Sequence, residues 1–176
     1  MLVALDSNSL TYLIEAMDPH YDPCFDDSAL AQERISMLRA HLYVGIVFHV
    51  LPQVTSEYKC ISKTDWRELH DHITGALLTE VDWNLDLQTM HRKKDLFMSL
   101  HKREKDCQVL AEAETANMTT LLTRDHKFIQ RLASATAVRM MYPSEFWRSQ
   151  NVRAGSVPKW EPRESNPLYG KSWWRI

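Results

Sequence analysis

Short apolar runs alternate along this chain with stretches of helical periodicity, and that alternation is the strongest constraint on its fold. Residues 2–5 (LVAL), 43–51 (YVGIVFHVL), 77–83 (LLTEVDW), 119–123 (TTLLT) and 136–142 (TAVRMMY) read as strands. The run 43–51 is almost continuously apolar, as a strand buried on both faces should be. Apolar spacings of three and four predict helices over 10–16, 28–41, 64–76, 85–100, 106–117 and 125–132, with a short helical turn at 144–147. Pro52 ends the second strand, and QVTSEYKCI starts a helix with Glu57 in its first turns. Strands alternating with helices imply an α/β fold whose parallel sheet is covered on both faces.

Acids stand at the edges of these runs. Asp6 follows LVAL, Asp125 follows TTLLTR, Glu57 follows the second strand, and Asp106 leads CQVLAEAE. In an open parallel sheet, chemistry gathers outside the carboxyl ends of the strands, where strand order reverses. All four acids fall on that rim, and Asp6 meets Asp125 there if the first and fourth strands are neighbours. Crowded carboxylates repel one another, and a hard cation such as Mg²⁺ or Mn²⁺ relieves the repulsion through oxygen ligands. Such a cation lowers the pKa of a bound water and stabilises charge on a phosphodiester. Taken singly, Asp6 and Asp125 also fit helix caps, Asp106 a partner for a helix dipole, and Glu57 a solvated helix residue. Capping alone does not call for four acids at equivalent ends.

The remaining features mostly exclude. A length of 176 residues, 44% hydrophobic and 25% charged, suits one domain with additions. No apolar stretch reaches the roughly 18 residues of a membrane span, and MLVALDSNS lacks the basic start of a signal peptide, so a cytoplasmic protein is expected. Three cysteines, Cys24, Cys60 and Cys107, support neither a disulfide framework nor a zinc site. The eight histidines show no ligand spacing; most are expected at the surface, with only His126 near the rim. Residues 17–27 (MDPHYDPCFDD) read as an acidic loop insertion. From 148 to 176 the chain is a basic, Trp-rich extension, with Arg148, Arg153, Lys159, Arg163, Lys171 and Arg175 among Trp160, Trp173 and Trp174. That segment suits a nucleic-acid backbone and its bases, or else its tryptophans pack back onto the domain or a dimer partner.

Three blocks, ALDSNSLTYLIEA, VTSEYKCI and DCQVLAEAETANMTTLLTRDHKF, together with the closing MMYPSEFW, resemble the PIN-domain nucleases, which include toxins of bacterial toxin–antitoxin pairs. The resemblance covers residues 1–147 and implies a three-layer α/β/α fold around a parallel sheet of four to five strands. It makes Asp6, Glu57, Asp106 and Asp125 the acids that hold one or two Mg²⁺ or Mn²⁺ ions, with Asn8 and Thr123 as supporting groups. Glu112, six residues beyond Asp106, is a candidate second support. RNA cleavage is the implied activity, and an antitoxin protein and a second copy of the chain are the implied partners. The acidic loop and the extension depart from a compact toxin.

The basic face Arg92, Lys93 and Lys94, continued by Lys102 and Arg103, reads as the RNA path, since cations beside an acidic site let a polyanion approach. Two functions follow. One is a metal-dependent ribonuclease that hydrolyses phosphodiesters. The other is a non-catalytic RNA-binding or protein-interaction module on the same fold.

Overall fold

The computed structural model describes residues 1–26, 28–81 and 84–176. Asp27 of the expected acidic loop, and Asp82 and Trp83 of the expected third strand, lie outside the described residues. Strands β1 (Val3–Leu5), β2 (Phe48–Val50), β3 (Thr79–Glu80), β4 (Thr120–Leu122) and β5 (Arg139–Met141) form one sheet in the order β3-β2-β1-β4-β5. Every pairing is parallel, with Val3 opposite both Phe48 and Thr120 and Leu5 opposite both Val50 and Leu122. The chain runs outward from β1 through β2 to β3, then returns to the other side of β1 for β4. The reversal of strand order therefore lies between β1 and β4, the place where such sheets carry their sites.

All three residues of β1 and of β4 are buried, so side chains on both faces of the central strands are covered. The covering helices are α1 (Ser7–Ala16), α2 (Ser28–Arg39), α3 (Pro52–Lys59), α4 (Thr64–Leu77), α5 (Leu87–Leu100), α6 (Glu104–Thr115), α7 (His126–Leu132) and α8 (Pro143–Ser149). Helix α2 packs on α1 and α8, and α6 packs on α5 and α3. The core they enclose includes Leu10, Leu13, Ile14, Met37, Leu38, Phe48, Phe97, Phe128 and Phe146. Each such side chain contributes about 1.5–3 kcal/mol on leaving water.

The run 43–51 is not one strand. Helix α2 passes into a single π turn at Ala40–Val44, Gly45 ends that turn, and only Phe48–Val50 pairs in the sheet. Gly45 takes φ +74, and a Cβ there would meet Lys159 Cδ at 3.2 Å, so backbone conformation and close approach both call for glycine. The third and fifth strands are likewise shorter than expected, because α4 runs on to Leu77 and pairing in β5 starts at Arg139. Pro52 is the first residue of α3, where its missing N–H costs nothing.

The extension folds back. Leu168 and Trp174 are buried, and Trp173 meets Tyr21 edge to face with ring centroids 5.3 Å apart. Arg39 at the end of α2 donates to the carbonyls of Trp174 at 2.9 Å and Arg175 at 2.7 Å. Lys159 donates to the Val44 carbonyl at 2.8 Å. The expected acidic loop is tied down at Asp26, which pairs with Arg34 on α2, and Arg34 pairs as well with Glu15 of α1. The described cysteines are all free, and no helix is long and apolar enough to cross a membrane among the described residues.

Candidate active site

The rim between β1 and β4 is built by helix caps. Beyond Leu5, the Asp6 N–H donates to the Leu122 carbonyl at 3.1 Å, which carries the ladder one residue further and leaves the side chain at the strand end. There the Asp6 carboxylate accepts from the Ser9 N–H at 2.6 Å and caps α1. Asp125 does the same for α7, accepting from the Phe128 N–H at 3.0 Å, while its own N–H donates to the Thr123 hydroxyl at 3.1 Å. Asp106 lies in the first turn of α6, and Glu57 lies on α3. Asp6, Glu57, Asp106 and Asp125 line one cleft of about 100 Å³, together with Ser7, Asn8 and Arg103. Capping and clustering are thus compatible: an acid at a helix start after a parallel strand points into the rim while serving the helix.

Each carboxylate has a protein donor. The Ser7 hydroxyl donates to Glu57 Oε2 at 2.5 Å, and Gln53 Nε2 donates to Glu57 Oε1 at 2.8 Å. His101 Nε2 lies 2.8 Å from Asp106 Oδ2. Arg103 donates to Asp125 Oδ2 at 2.7 Å and stands 3.9 Å from Asp106. Burial pushes the Asp6 carboxyl above its usual range, and the Asp106 charge adds to that push. Hydrogen bonds from Thr123 and Ser9 oppose it. Among the described residues, no group of three or more His, Cys, Asp or Glu side chains is arranged to hold a metal ion. Arg103 supplies the positive charge between Asp106 and Asp125.

Asn8 opens onto the cleft, and Thr123 is buried behind it. Glu112 is neither in the cleft nor on the surface. It is buried, accepts from the Gln53 N–H at 2.8 Å and from Gln108 Nε2 at 2.8 Å, and so caps α3 from across the interface with α6. Since Leu51 offers α3 no side-chain cap, Glu112 fills that role, and Gln53 links it to Glu57. Burial raises its carboxyl pKa.

The expected basic face is neutralised at Lys93, Lys94 and Arg103, while Arg92 and Lys102 form no ion pair among the described residues. Lys93 pairs with Glu114 at 2.5 Å and Lys94 with Glu104 at 2.6 Å, while Arg92 folds onto the Gln88 carbonyl and the Thr89 hydroxyl of its own helix. Lys102 is exposed, and Arg103 belongs to the acidic cleft. His126 is not the one histidine near the rim, because His101 is buried against Asp106. His70 is buried as well, and its ring lies 2.8 Å from the Trp66 carbonyl, so the histidines are less uniformly exposed than their polarity suggests. Ser7 and His101 carried no local signal for these contacts. Ser7 reads as one of several alternative caps in DSNS, and His101 stands in a short link between helices whose partner is fixed only by the fold.

The sequence matches no protein-family model and no curated protein. The structure is similar to VapBC2 from Rickettsia felis, solved bound to a DNA fragment from its promoter, with 15% identity, a TM-score of 0.54, and coverage of 81% of this chain and 98% of that one. It also aligns with FitAcB from Neisseria gonorrhoeae at 12% identity and a TM-score of 0.49, over 81% of this chain and 98% of that one. The fold is α/β with an all-parallel central sheet of five strands, and it is PIN-like.

Proposed function

We propose that this chain is a metal-dependent ribonuclease that hydrolyses RNA phosphodiesters at the cleft lined by Asp6, Glu57, Asp106 and Asp125. The observation that carries the reading is that four carboxylates from α3, α6 and the ends of β1 and β4 line one small cleft where strand order reverses. As a donor set they are all oxygen, the ligand type of a hard cation such as Mg²⁺ or Mn²⁺, although among the described residues no three of them converge on one point. The guanidinium held beside Asp106 and Asp125 shows that the negative charge of the cleft attracts a cation. When bound, that cation supplies Lewis acidity toward the phosphodiester and a more acidic water.

The chain's own residues then have separable tasks. Asp6 and Asp125 are held by the helices they cap, which fixes their carboxylates without a flexible loop. Ser7 orients Glu57, and the His101 ring orients Asp106. Arg103, exposed and on a long side chain, pairs with Asp125; with a cation held by the acids, that guanidinium would be available to a phosphate oxygen. In a cell the chain acts as the toxin of a toxin–antitoxin pair, with an antitoxin protein as partner. Support for that finer reading is the PIN resemblance of the three sequence blocks.

The test is cleavage of labelled single-stranded and hairpin RNAs with Mn²⁺, Mg²⁺ or EDTA, beside an Asp6→Asn, Asp106→Asn double variant. Cleavage that needs metal and is lost in the variant is expected. The competing reading, a module that binds RNA or protein without cutting, draws on one observation: every carboxylate of the cleft already has a protein donor. RNA binding without cleavage under every metal would favour it.

A further inference from the structure

The acidic cleft opens into a larger groove of about 510 Å³, which shares Asn8, Arg103 and Asp125 with it. The groove's other walls are Tyr12 of α1, Arg124, His126 and Lys127 at the start of α7, and Tyr142 at the turn into α8. Its charge differs from that of the cleft. Asp125 is neutralised by Arg103, and among the described residues Arg124 and Lys127 have neither a hydrogen bond nor an ion pair. This is the reverse of Lys93 and Lys94, which are each spent on a glutamate.

We infer that this groove seats the single-stranded RNA segment flanking the scissile phosphate, with Arg124 and Lys127 on its phosphates and Tyr142 against a base, while Tyr12, whose ring carries the Arg34 guanidinium 5.4 Å from its centroid, forms the wall behind. The inference rests on the ribonuclease reading and gives its substrate a path. Unpaired cations interleaved with aromatic rings are the chemistry of single-strand binding, because every base offers a face to stack on and every linkage carries a charge. A duplex is held rigid and offers a groove surface instead of splayed bases. The acidic cleft, at about 100 Å³, shares Asn8, Arg103 and Asp125 with the groove, so a strand lying in the groove passes the four acids. The basic face of α5 is then not the main path.

The experiment measures binding of a fluorescein-labelled single-stranded RNA to the full chain in EDTA across a salt series, with cleavage of the same RNA in Mn²⁺ as a second readout. For Arg124→Ala with Lys127→Ala, affinity is expected to fall about tenfold and the log–log salt slope to shrink by about 1.4, the counterion release of two single-strand phosphates. Tyr142→Leu is expected to weaken binding about fivefold or more with the slope unchanged. Lys63→Ala, at an exposed cation in the link between α3 and α4, is the control and leaves both alone. Thermal unfolding of each variant shows whether it is folded. If the wild type binds and cuts RNA while the Arg124, Lys127 variant binds as tightly, the groove is wrong and the ribonuclease stands. Equal binding of a blunt duplex, lost in the same variant, also overturns the single-strand assignment. If the wild type neither binds nor cuts, both readings fall together.

Discussion

Arg103 donates to the Asp125 carboxylate across 2.7 Å and so places a guanidinium inside the cleft that four acids line. The guanidinium also lies 3.9 Å from Asp106, within reach of both carboxylates. Its side chain is 68% exposed, so the ion pair is a surface pair with little effect on stability.

Removal of that charge separates stability from metal binding. Arg103→Gln is expected to change folding stability by less than about 0.5 kcal/mol in EDTA, as exposed pairs do. It is also expected to enlarge the stabilisation by Mn²⁺, since a ligand that binds the native state raises its stability with the logarithm of its affinity. Thermal unfolding with and without Mn²⁺ measures both quantities. An identical Mn²⁺ shift in wild type and variant would show that Arg103 and the cation do not compete.

Asp6 predicts a trade between function and stability. Its folded pKa is raised above the usual carboxylate value of 3.8 by burial, then by the Asp106 charge. The native state therefore binds more protons than the unfolded chain just above that value, and stability falls as pH rises through the window. The loss persists at neutral pH. Asp6→Asn keeps a good cap for α1 and removes the charge, so it is expected to raise the unfolding midpoint at pH 7 in EDTA. At a pH below the unfolded value the two proteins should converge. An unfolding midpoint at pH 7 that drops in the variant would mean that the carboxylate's hydrogen bonds outweigh its desolvation.

Part of this site was legible in the sequence for a physical reason. Asp6 and Asp125 stand where a strand ends and a helix begins, and one side chain serves both as cap and as rim carboxylate. Residues 43–51 misled because a π turn and a strand buried on both faces are equally apolar, and periodicity cannot divide them. The φ of Gly45 is what divides them. His101, Arg103 and Glu112 belong to another class. Their partners lie on other turns or other elements, so their roles depend on how α6 sits against α3, α5 and α7, which no local pattern records.

Glu112 tests the link between helix packing and the cleft. Glu112→Ala removes the acceptor for the Gln53 N–H and leaves α3 without a side-chain cap, at a cost of about 1–3 kcal/mol. Gln53, which also holds Glu57, loses its fixed position. Denaturant unfolding measures the first effect. The second should appear as weaker Mn²⁺ binding in conditions where the variant is fully folded. Unchanged Mn²⁺ binding in the folded variant would confine Glu112 to stability.

The extension is structural where it meets α2. Trp174 is 1% exposed, its ring centroid lies 6.2 Å from that of Tyr43, and Arg39 is held by the carbonyls of Trp174 and Arg175. Burial lowers the pKa of the Arg39 guanidinium, so loss of those carbonyls leaves a charge with fewer partners at the end of α2. Trp174→Ala is expected to cost about 3–5 kcal/mol, the range for deleting a buried aromatic ring. Trp160→Ala, at a ring that is 59% exposed, should cost much less. The contrast is read by denaturant unfolding of the two variants. RNA binding by Trp174→Ala in conditions where it is folded should match the wild type. A loss of RNA affinity without a loss of stability would instead make the extension part of the nucleic-acid surface.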